Sequence, residues 1–489
     1  RIMACLNYTL REYCDNNGNS SIDKFHLYKL LDESLRFFNE EVLYESAISK
    51  MLVEEDLFVT SENRYALSML YYAEKRILEF FTRRKDEKNR KIIATFDEYL
   101  IKKQETLGFE LSTEQKKAVE LINNGDKTLF LIGYAGTGKS TSSRAILELL
   151  EETMSYDDIM TIALSGIASQ RISDTTGYNS STIQSLIMKH KEKDFFPYKA
   201  ILLDEASMVN SVTFNQIVSK IDDDTIFIIV GDDGQLPAIG AGNVLADAIK
   251  YELAPICKLT KIYRQNENQA IAVIANDIRK GEIPAYKEEY EDFKFVDVSI
   301  SNYYSQKNSI SSNDFADLRG ENSEYILNNI LNISAGYIEE YYDFIKKKKI
   351  SKALTLFQVI TPMKAGILGV DNLNIQLQKL FNHTKGKAFV SKVYEYKLTD
   401  KVIHIKNENM KAQTMSMYKS GSSDFLERRV YNGQLGLIIK LDFEEDKCIV
   451  LYPNDDMVIF YDFENVYSLL SLAYCLTIHK TQGMEYENA

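Results

Sequence analysis

Long apolar runs are missing from this sequence. None approaches the roughly 20 residues that a helix needs to span a bilayer, which excludes a helical membrane protein. The opening stretch RIMACLNYTLREYCDNN lacks the charged start, apolar core and cleavage site of a signal peptide. It begins at Arg1, which is compatible with a cut or incomplete start. Cysteine is scarce and scattered: Cys5, Cys14, Cys257, Cys448 and Cys475 form no CxxC pair, and no histidines stand at zinc-ligand spacing. This pattern predicts reduced, mostly buried thiols in a cytoplasmic protein. Positive charge is also short, with 58 Lys and Arg against 71 Asp and Glu and a net charge of −13. Such a balance argues against indiscriminate attraction to a polyanion and leaves room for a local basic groove. No internal repeat is visible.

What the chain does have is length and apolar content. Its 489 residues, 45% of them hydrophobic, suffice for about three packed domains. The stretch TLFLIGYAGTGKS, residues 128–140, organises the rest. An apolar, β-type run ends in a glycine-rich turn closed by a lysine and a hydroxyl. Gly133, Gly138, Lys139 and Ser140 fit the full phosphate-loop spacing, with the strand before and the helix after that the pattern requires. Glycines let backbone N–H groups approach an anion, and a helix beginning near Lys139 adds its positive end. Lys139 is then expected to reach the β and γ phosphates of ATP, and Ser140 to ligate Mg²⁺.

Upstream, residues 1–106 carry no catalytic motif. Ile48 and Leu52 stand at helical spacing, two short apolar runs follow (Leu57 to Val59 and Tyr65 to Leu67), and Leu70, Ala73, Ile77 and Phe81 form a second helical stripe. Helix, hairpin and helix predict a winged-helix-like region, read as scaffold for want of a basic recognition helix. From Leu111 the pattern is α/β, with buried-type strands at Thr128 to Ile132, Met160 to Leu164, Ala200 to Leu203 and Thr225 to Val230. A second α/β region begins near Lys258 and includes the run Thr355 to Ile360. The polar stretch from Ser301 reads as a mobile insertion, and Lys346 to Lys349 as a solvated helix end. Residues 385–465 alternate in short runs with turn signals, as in a small antiparallel β-barrel, and the stretch from Met410 reads as a flexible loop within it.

Chemistry-bearing residues follow the apolar strands. ILLDEAS puts Asp204 and Glu205 at a strand end, where Asp204 is expected to hold Mg²⁺ through water and Glu205 to polarise the attacking water. FIIVGDDGQLP puts Asp232 and Gln235 beyond another strand, with Gln235 as reporter of the γ phosphate. IYRQ offers Arg264 as a guanidinium supplied from a second domain. TIHKTQGMEYE offers His479, Lys480, Thr481, Gly483 and Glu485, several of them able to donate to phosphate.

In this order, these stretches resemble the motifs of superfamily 1 DNA helicases, above all the RecD-like group that moves 5′ to 3′ on single-stranded DNA. The resemblance covers roughly residues 107–487. LSTEQKKAV resembles the adenine-reading motif, with Gln115 as reader; GYAGTGKS, LLDEAS, VGDDGQLP and IYRQ resemble motifs one to four, and TIHKTQGMEYE motif five. It implies an α/β fold of two RecA-like parallel-sheet motor domains, with an N-terminal winged-helix-like α+β region and an inserted small β-barrel. The boundaries expected are 1–106 for the N-terminal region, 107–257 for the first motor domain, 258–384 for the first part of the second, 385–465 for the barrel, and 466–489 for the last part. It further implies ATP and Mg²⁺ as cofactors, single-stranded or tailed duplex DNA as partner, no membrane, and a monomeric motor.

The implied nucleotide contacts are Gln115, Gly133, Ala135, Gly136, Thr137, Gly138, Lys139, Ser140, Thr141, Gly483 and Glu485. The implied DNA contacts are Ser165, Gly166, Thr182, His479, Lys480 and Thr481. Leu164, Ile167 and Gln184 depart from the family pattern, and the segment between Leu186 and Tyr198, where the family has its strand-separating hairpin, is short and charged. The sequence stops at Ala489, after motif five, so the arginine of motif six is not in it and a chain of this extent is expected to be impaired. The residues alone leave open an RNA-directed or remodelling ATPase and a nucleotide-binding module that does not cycle.

Overall fold

Amphipathic helices and one short hairpin dominate the described part of the first 84 residues in the computed structural model, which describes residues 2–35, 41–60, 63–134, 136–261, 270–284, 290, 292–296 and 314–489. Helices α1 (Ile2–Asn17), α2 (Lys24–Leu35) and α3 (Glu41–Val53) bury Leu6, Leu10, Leu27, Leu31, Tyr44, Ile48 and Met51 in a core of their own. Strand β2 (Leu57–Thr60) pairs antiparallel with β3 (Arg64–Leu67), and β1 (Ile22–Asp23) adds to the far side of β3. Helix, hairpin and helix therefore appear where the apolar spacing puts them. Helix α4 (Ser68–Arg84) faces a different core, in which Ile77, Phe80 and Phe81 meet Phe130, Phe214 and Phe227. Its last residue, Arg84, is buried. The guanidinium donates to Thr128 Oγ1 at 3.1 Å and to the carbonyls of Lys127, Asp222, Asp223 and Thr225.

The chain divides into two compact units, one of Arg1–Leu164 with Ala168–Asp292 and one of Ser165–Ile167 with Phe293–Ala489. After α5 (Phe96–Leu107) and α6 (Thr113–Asn123), the first unit holds a six-stranded sheet. Its strands are β4 (Thr128–Gly133), β5 (Ile159–Ala163), β6 (Ser180–Thr182), β7 (Ala200–Leu203), β8 (Ile226–Gly231) and β9 (Ile256–Leu259). The order is β6-β5-β7-β8-β4-β9, and every pair is parallel. The intervening helices are α7 (Lys139–Leu150), α8 (Gly166–Thr176), α9 (Ile183–Lys189), α10 (Ser211–Val218) and α11 (Val244–Lys250), and α12 (Ala270–Lys280) follows β9. Near-continuous apolar runs are what a sheet covered on both faces demands. Successive residues serve opposite cores: Phe130, Ile132, Phe227 and Ile229 on one side, Leu129, Leu131, Ile228 and Val230 on the other. Residues Ile256–Leu259 pair with β4 and so complete this sheet.

In the second unit, β10 (Val359–Thr361) and β20 (Cys475–Thr477) form a parallel pair with Val359 opposite Cys475. Gln358, fully buried, fastens the pair by donating Nε2 to the carbonyls of Ala473 and Tyr474 at 3.3 and 3.1 Å. Between these strands in sequence lies an antiparallel sheet of β13 (Lys401–His404), β14 (Glu408–Thr414), β15 (Leu426–Val430), β16 (Leu435–Asp442), β17 (Lys447–Tyr452), β18 (Met457–Asp462) and β19 (Leu470–Leu472), and a short pair, β11 (Phe389–Val390) with β12 (Glu395–Tyr396). The strands run antiparallel as the alternation predicts. Their order is β15-β14-β18-β17-β16-β13-β19, and among the described residues the ladder does not close into a barrel. Edge strand β15 reads LERRV, and its exposed charges discourage further pairing.

Two expectations are corrected here. The stretch from Met410 is a strand, a helix (Met415–Ser420) and a returning strand, where polarity suggested a loop. Thr414 caps the helix by accepting from Met417 N, Gly421 ends it in a left-handed turn, and Gln413 Nε2 donates to the carbonyls of Ser422 and Asp424. Of the polar stretch from Ser301, residues 301–313 lie outside the described residues, and the remainder belongs to the helix Asp314–Ala335. Lys346 ends the helix Ile338–Lys346, as its charge suits.

Candidate active site: a phosphate loop beside acidic strand ends

Parallel strands deliver their C-terminal ends to one edge of the sheet, and β4, β7 and β8 each place chemistry there. β4 ends at Gly133, and α7 begins at Lys139 with Gly138 as its N-cap. Gly136 and Gly138 take φ values of 80° and 85°, a left-handed backbone that residues with a Cβ rarely adopt. Thr137 is buried and donates Oγ1 to the carbonyl of Tyr134 at 2.8 Å. Ser140 is exposed and Thr141 half-buried on the first turn of α7. Ala135 lies outside the described residues.

Lys139 is turned inward over this loop. Its Nζ donates to the carbonyl of Gly133 at 2.6 Å and to that of Tyr134 at 3.1 Å. Burial lowers the affinity of this amine for its proton, and the carboxylates of Asp232, Glu205 and Asp204 partly restore it. Three acids thus act on one ammonium.

Asp204 and Glu205 follow β7. Burial raises both carboxyls above the ordinary carboxylate range; Asp204 adds to the rise at Glu205, while Lys139 opposes it at both. Glu205 is held at φ 51° and its buried Oε2 has no hydrogen-bond partner among the described residues. An unsatisfied carboxylate oxygen costs free energy unless a donor arrives, and a water or ligand hydroxyl is such a donor. After β8, Asp232 Oδ1 accepts from Gly234 N at 3.1 Å, and Gln235 N donates to the Asp232 carbonyl at 3.3 Å. Ser207 Oγ lies 3.5 Å from Gln235 Oε1. The phosphate loop, the DE pair and the Gln235 turn therefore share one end of one sheet.

Other expected residues are placed differently. Gln115 is buried in a capping box on α6: its Oε1 accepts from Ser112 N at 2.9 Å and its own N donates to Ser112 Oγ at 3.1 Å. Thr182 is buried and caps α9 by accepting from Ser185 N, which turns its hydroxyl into the protein. Arg264 lies outside the described residues. Ser165 and Gly166 group with the second unit, as do His479, Lys480 and Thr481 of the short helix Ile478–Thr481. Thr481 Oγ1 donates to the Ile478 carbonyl at 2.8 Å. Burial and the neighbouring Lys364 hold the Lys480 ammonium below its usual range. Gly483 takes φ 76°, and Glu485 follows it.

One residue at the site carries no sequence signal. Arg279, on α12, donates Nη2 to Asp232 Oδ1 at 2.6 Å and to Asp233 Oδ1 at 2.5 Å, and its guanidinium carbon lies 3.9 Å from the ring centre of Tyr134. A lone arginine in ANDIRKG fits no spacing rule, so only the fold reveals where it goes.

Residues 110–299 match the model of the AAA domain family. The chain is 25% identical over 440 residues to the ATP-dependent RecD2 DNA helicase of Deinococcus radiodurans, covering 87% of this chain and 51% of that protein. It is 23% identical over 437 residues to the RecBCD enzyme subunit RecD of Buchnera aphidicola subsp. Acyrthosiphon pisum, covering 76% of this chain and 65% of that protein. A solved structure of Pif1 helicase from Bacteroides in complex with ADP-AlF3 and single-stranded DNA is 17% identical, with a TM-score of 0.43 over 77% of this chain and 85% of that one. The chain thus spans about half the length of the first of these relatives.

Proposed function

We propose that this chain, RecD-like in sequence, is the motor of an ATP-dependent DNA helicase that moves along single-stranded DNA from 5′ to 3′. The observation that carries the reading is the gathering of Lys139, Asp204 and Glu205 at one sheet edge, with Glu205 Oε2 buried and unpartnered.

In this reading the backbone N–H groups of the loop from Gly133 to Thr141 and the start of α7 hold the phosphates of ATP, and Lys139 leaves the carbonyls of Gly133 and Tyr134 for the β and γ phosphates. The exposed Ser140 hydroxyl and Asp204 suit Mg²⁺, which characteristically takes one or two protein ligands besides phosphate oxygens and water. When bound, that ion neutralises charge on the transferring phosphoryl group. Glu205, with its raised proton affinity, orients and deprotonates the attacking water. Gln235 reports the γ phosphate, and Arg264 supplies a second cation to the transition state. Gln115, Gly483 and Glu485 complete the nucleotide contacts.

Ser165, Gly166, His479, Lys480 and Thr481 hold the DNA backbone, which gives affinity without reading sequence. The depressed proton affinity of Lys480 beside Lys364 supports an anion at that place, since a phosphate relieves the repulsion of two cations. Thr182 serves this surface indirectly, by fixing the start of α9. The domains are assigned as the motif order implies, and the protein acts as a monomer on cytoplasmic DNA.

The test is phosphate release from ATP with and without single-stranded DNA. Stimulation by DNA supports the reading, and its absence overturns it. Equal stimulation by RNA of the same length removes the DNA preference, and duplexes with one 5′ or one 3′ tail decide direction.

A further inference from the structure

Arg279 occupies a seat assembled from two separate segments of the first unit. Tyr134 of the phosphate loop supplies a ring 3.9 Å from the guanidinium carbon. Asp232 and Asp233 supply carboxylate oxygens at 2.6 and 2.5 Å from Nη2. Gly234 supplies room: a Cβ there would stand 2.2 Å from the guanidinium carbon, so any side chain displaces the arginine. Two adjacent carboxylates repel each other, and a guanidinium shared between them removes that repulsion.

We propose that Arg279 is a nucleotide sensor, which passes the filling of the phosphate loop to helix α12. The inference rests on the reading of this site as an ATP site. Tyr134 is the shared part. Lys139 binds its carbonyl at 3.1 Å and Arg279 lies against its ring, so the two cations hold one residue from two sides. A phosphate is a stronger partner for an ammonium than a neutral carbonyl is. When Lys139 turns to phosphate, the Tyr134 carbonyl loses one of its three donors, keeping those of Thr137 Oγ1 and N, and the seat of Arg279 changes. The same guanidinium fixes Asp232, whose carboxylate and carbonyl set the turn that carries Gln235. Phosphate loop, Gln235 turn and α12 therefore move as one linked set. At its other end, α12 is held by Asp292, which accepts from Ala270 N at 3.0 Å and Ile271 N at 3.3 Å. Asp292 is the last residue of the first unit, so a shift of α12 is delivered to the point where the chain enters the second.

The experiment is amide hydrogen exchange of residues 270–280, with and without magnesium ADP or adenylyl imidodiphosphate, in the full chain. Three proteins are compared: the unaltered chain, Arg279→Ala, and Gly234→Ala, which evicts the guanidinium while keeping its charge. Nucleotide binding to each is measured separately by calorimetry. We expect nucleotide to change α12 exchange by about fivefold or more in the unaltered chain, the lower end of ordinary coupling between sites, and to leave it unchanged in both variants. A second reporter is available because the chain contains no tryptophan: Tyr134→Trp places a single indole under Arg279. Its emission should respond to nucleotide, and the response should vanish when Arg279→Ala is added. Nucleotide binding to all three proteins with identical α12 exchange overturns the sensor and leaves the ATP site standing. Failure of the unaltered chain to bind either nucleotide overturns the ATP site and the sensor with it.

Discussion

Arg84, the last residue of α4, donates Nε to the Oγ1 of Thr128, the first residue of β4, at 3.1 Å. The same guanidinium reaches four backbone carbonyls, so one buried side chain ties the N-terminal region to the strand that leads into the phosphate loop. Arg84→Met keeps most of the apolar stem and removes the donor that these acceptors share, although the carbonyls of Lys127 and Asp222 keep the backbone donors Phe227 N and Thr225 N. Leaving a buried acceptor without its donor costs about 1–3 kcal/mol. Denaturant unfolding should show that loss in the transition of the first unit. An unchanged midpoint means that water replaces the guanidinium without cost.

Lys139→Met removes the cation expected on the phosphates. Phosphate release should fall by about 10²–10³-fold, the usual cost of deleting one preorganised charge donor. Secondary structure should persist, because among the described residues Lys139 is hydrogen-bonded only to carbonyls of its own loop. Retention of more than a tenth of the turnover would remove Lys139 from the chemistry.

Glu205→Gln separates catalysis from stability. Turnover should drop by about 10²–10⁴-fold through loss of the base, while nucleotide still binds. Melting temperature should rise, because the substitution removes a buried carboxylate that Asp204 repels and whose Oε2 lacks a partner. Calorimetric melting beside a turnover assay checks both signs at once. A lower melting temperature would mean that the carboxylate is stabilised by its surroundings.

His404 gives a pH-dependent prediction. It is fully buried in the second unit, its Nδ1 is 3.0 Å from the Tyr461 hydroxyl, which in turn meets Tyr452, and its Nε2 has no hydrogen-bond partner among the described residues. Burial, with help from Lys480, lowers its pKa from 6.5 to about 4, and a hydrogen bond at the Lys406 backbone partly opposes the drop. The unfolded chain therefore binds the proton first as pH falls. Stability is intact above about pH 6.5 and is lost progressively down to about pH 4, by about 3 kcal/mol in full. Asp400, raised to about 6, acts in the opposite sense over part of that window, so the comparison is between the unaltered chain and His404→Gln. The variant should lose the acid sensitivity that the histidine contributes. Parallel stability curves for the two proteins between pH 4 and 6.5 would contradict it.

Legibility in the sequence followed the range of the signal. Gly133 to Ser140 and Asp204 with Glu205 were readable because each is a local pattern: a strand of given length, then residues whose spacing the ligand dictates. The winged-helix-like hairpin and the parallel strands were readable for the same reason, since period and turn chemistry are short-range. Arg279 was not, because its partners Tyr134, Asp232 and Asp233 are distant in sequence and meet it only through the sheet. The sequence offers Thr182 and Gln115 for their ligand chemistry, whereas locally each hydroxyl or amide also satisfies a helix end. The stretch from Met410 looked like a loop because its polar residues cap and brace a helix rather than bury a face. The open edge at β15 is likewise a matter of what does not pair, which alternation cannot reveal.

The pairing of β10 with β20 imposes an order of events on synthesis. Gln358 waits for partners 115 and 116 residues further along, and the strand after it waits for Cys475 to Thr477. A ribosome that has made β14 to β18 has made the neighbouring hairpins β14-β15, β16-β17 and β17-β18, while the parallel pair around them is still missing one strand. Local contacts form first and distant ones last, so the first unit and these hairpins are expected to be in place while β10 is still unpaired. Until residue 477 leaves the exit tunnel, the nascent chain offers chaperones an uncovered strand at Val359 to Thr361.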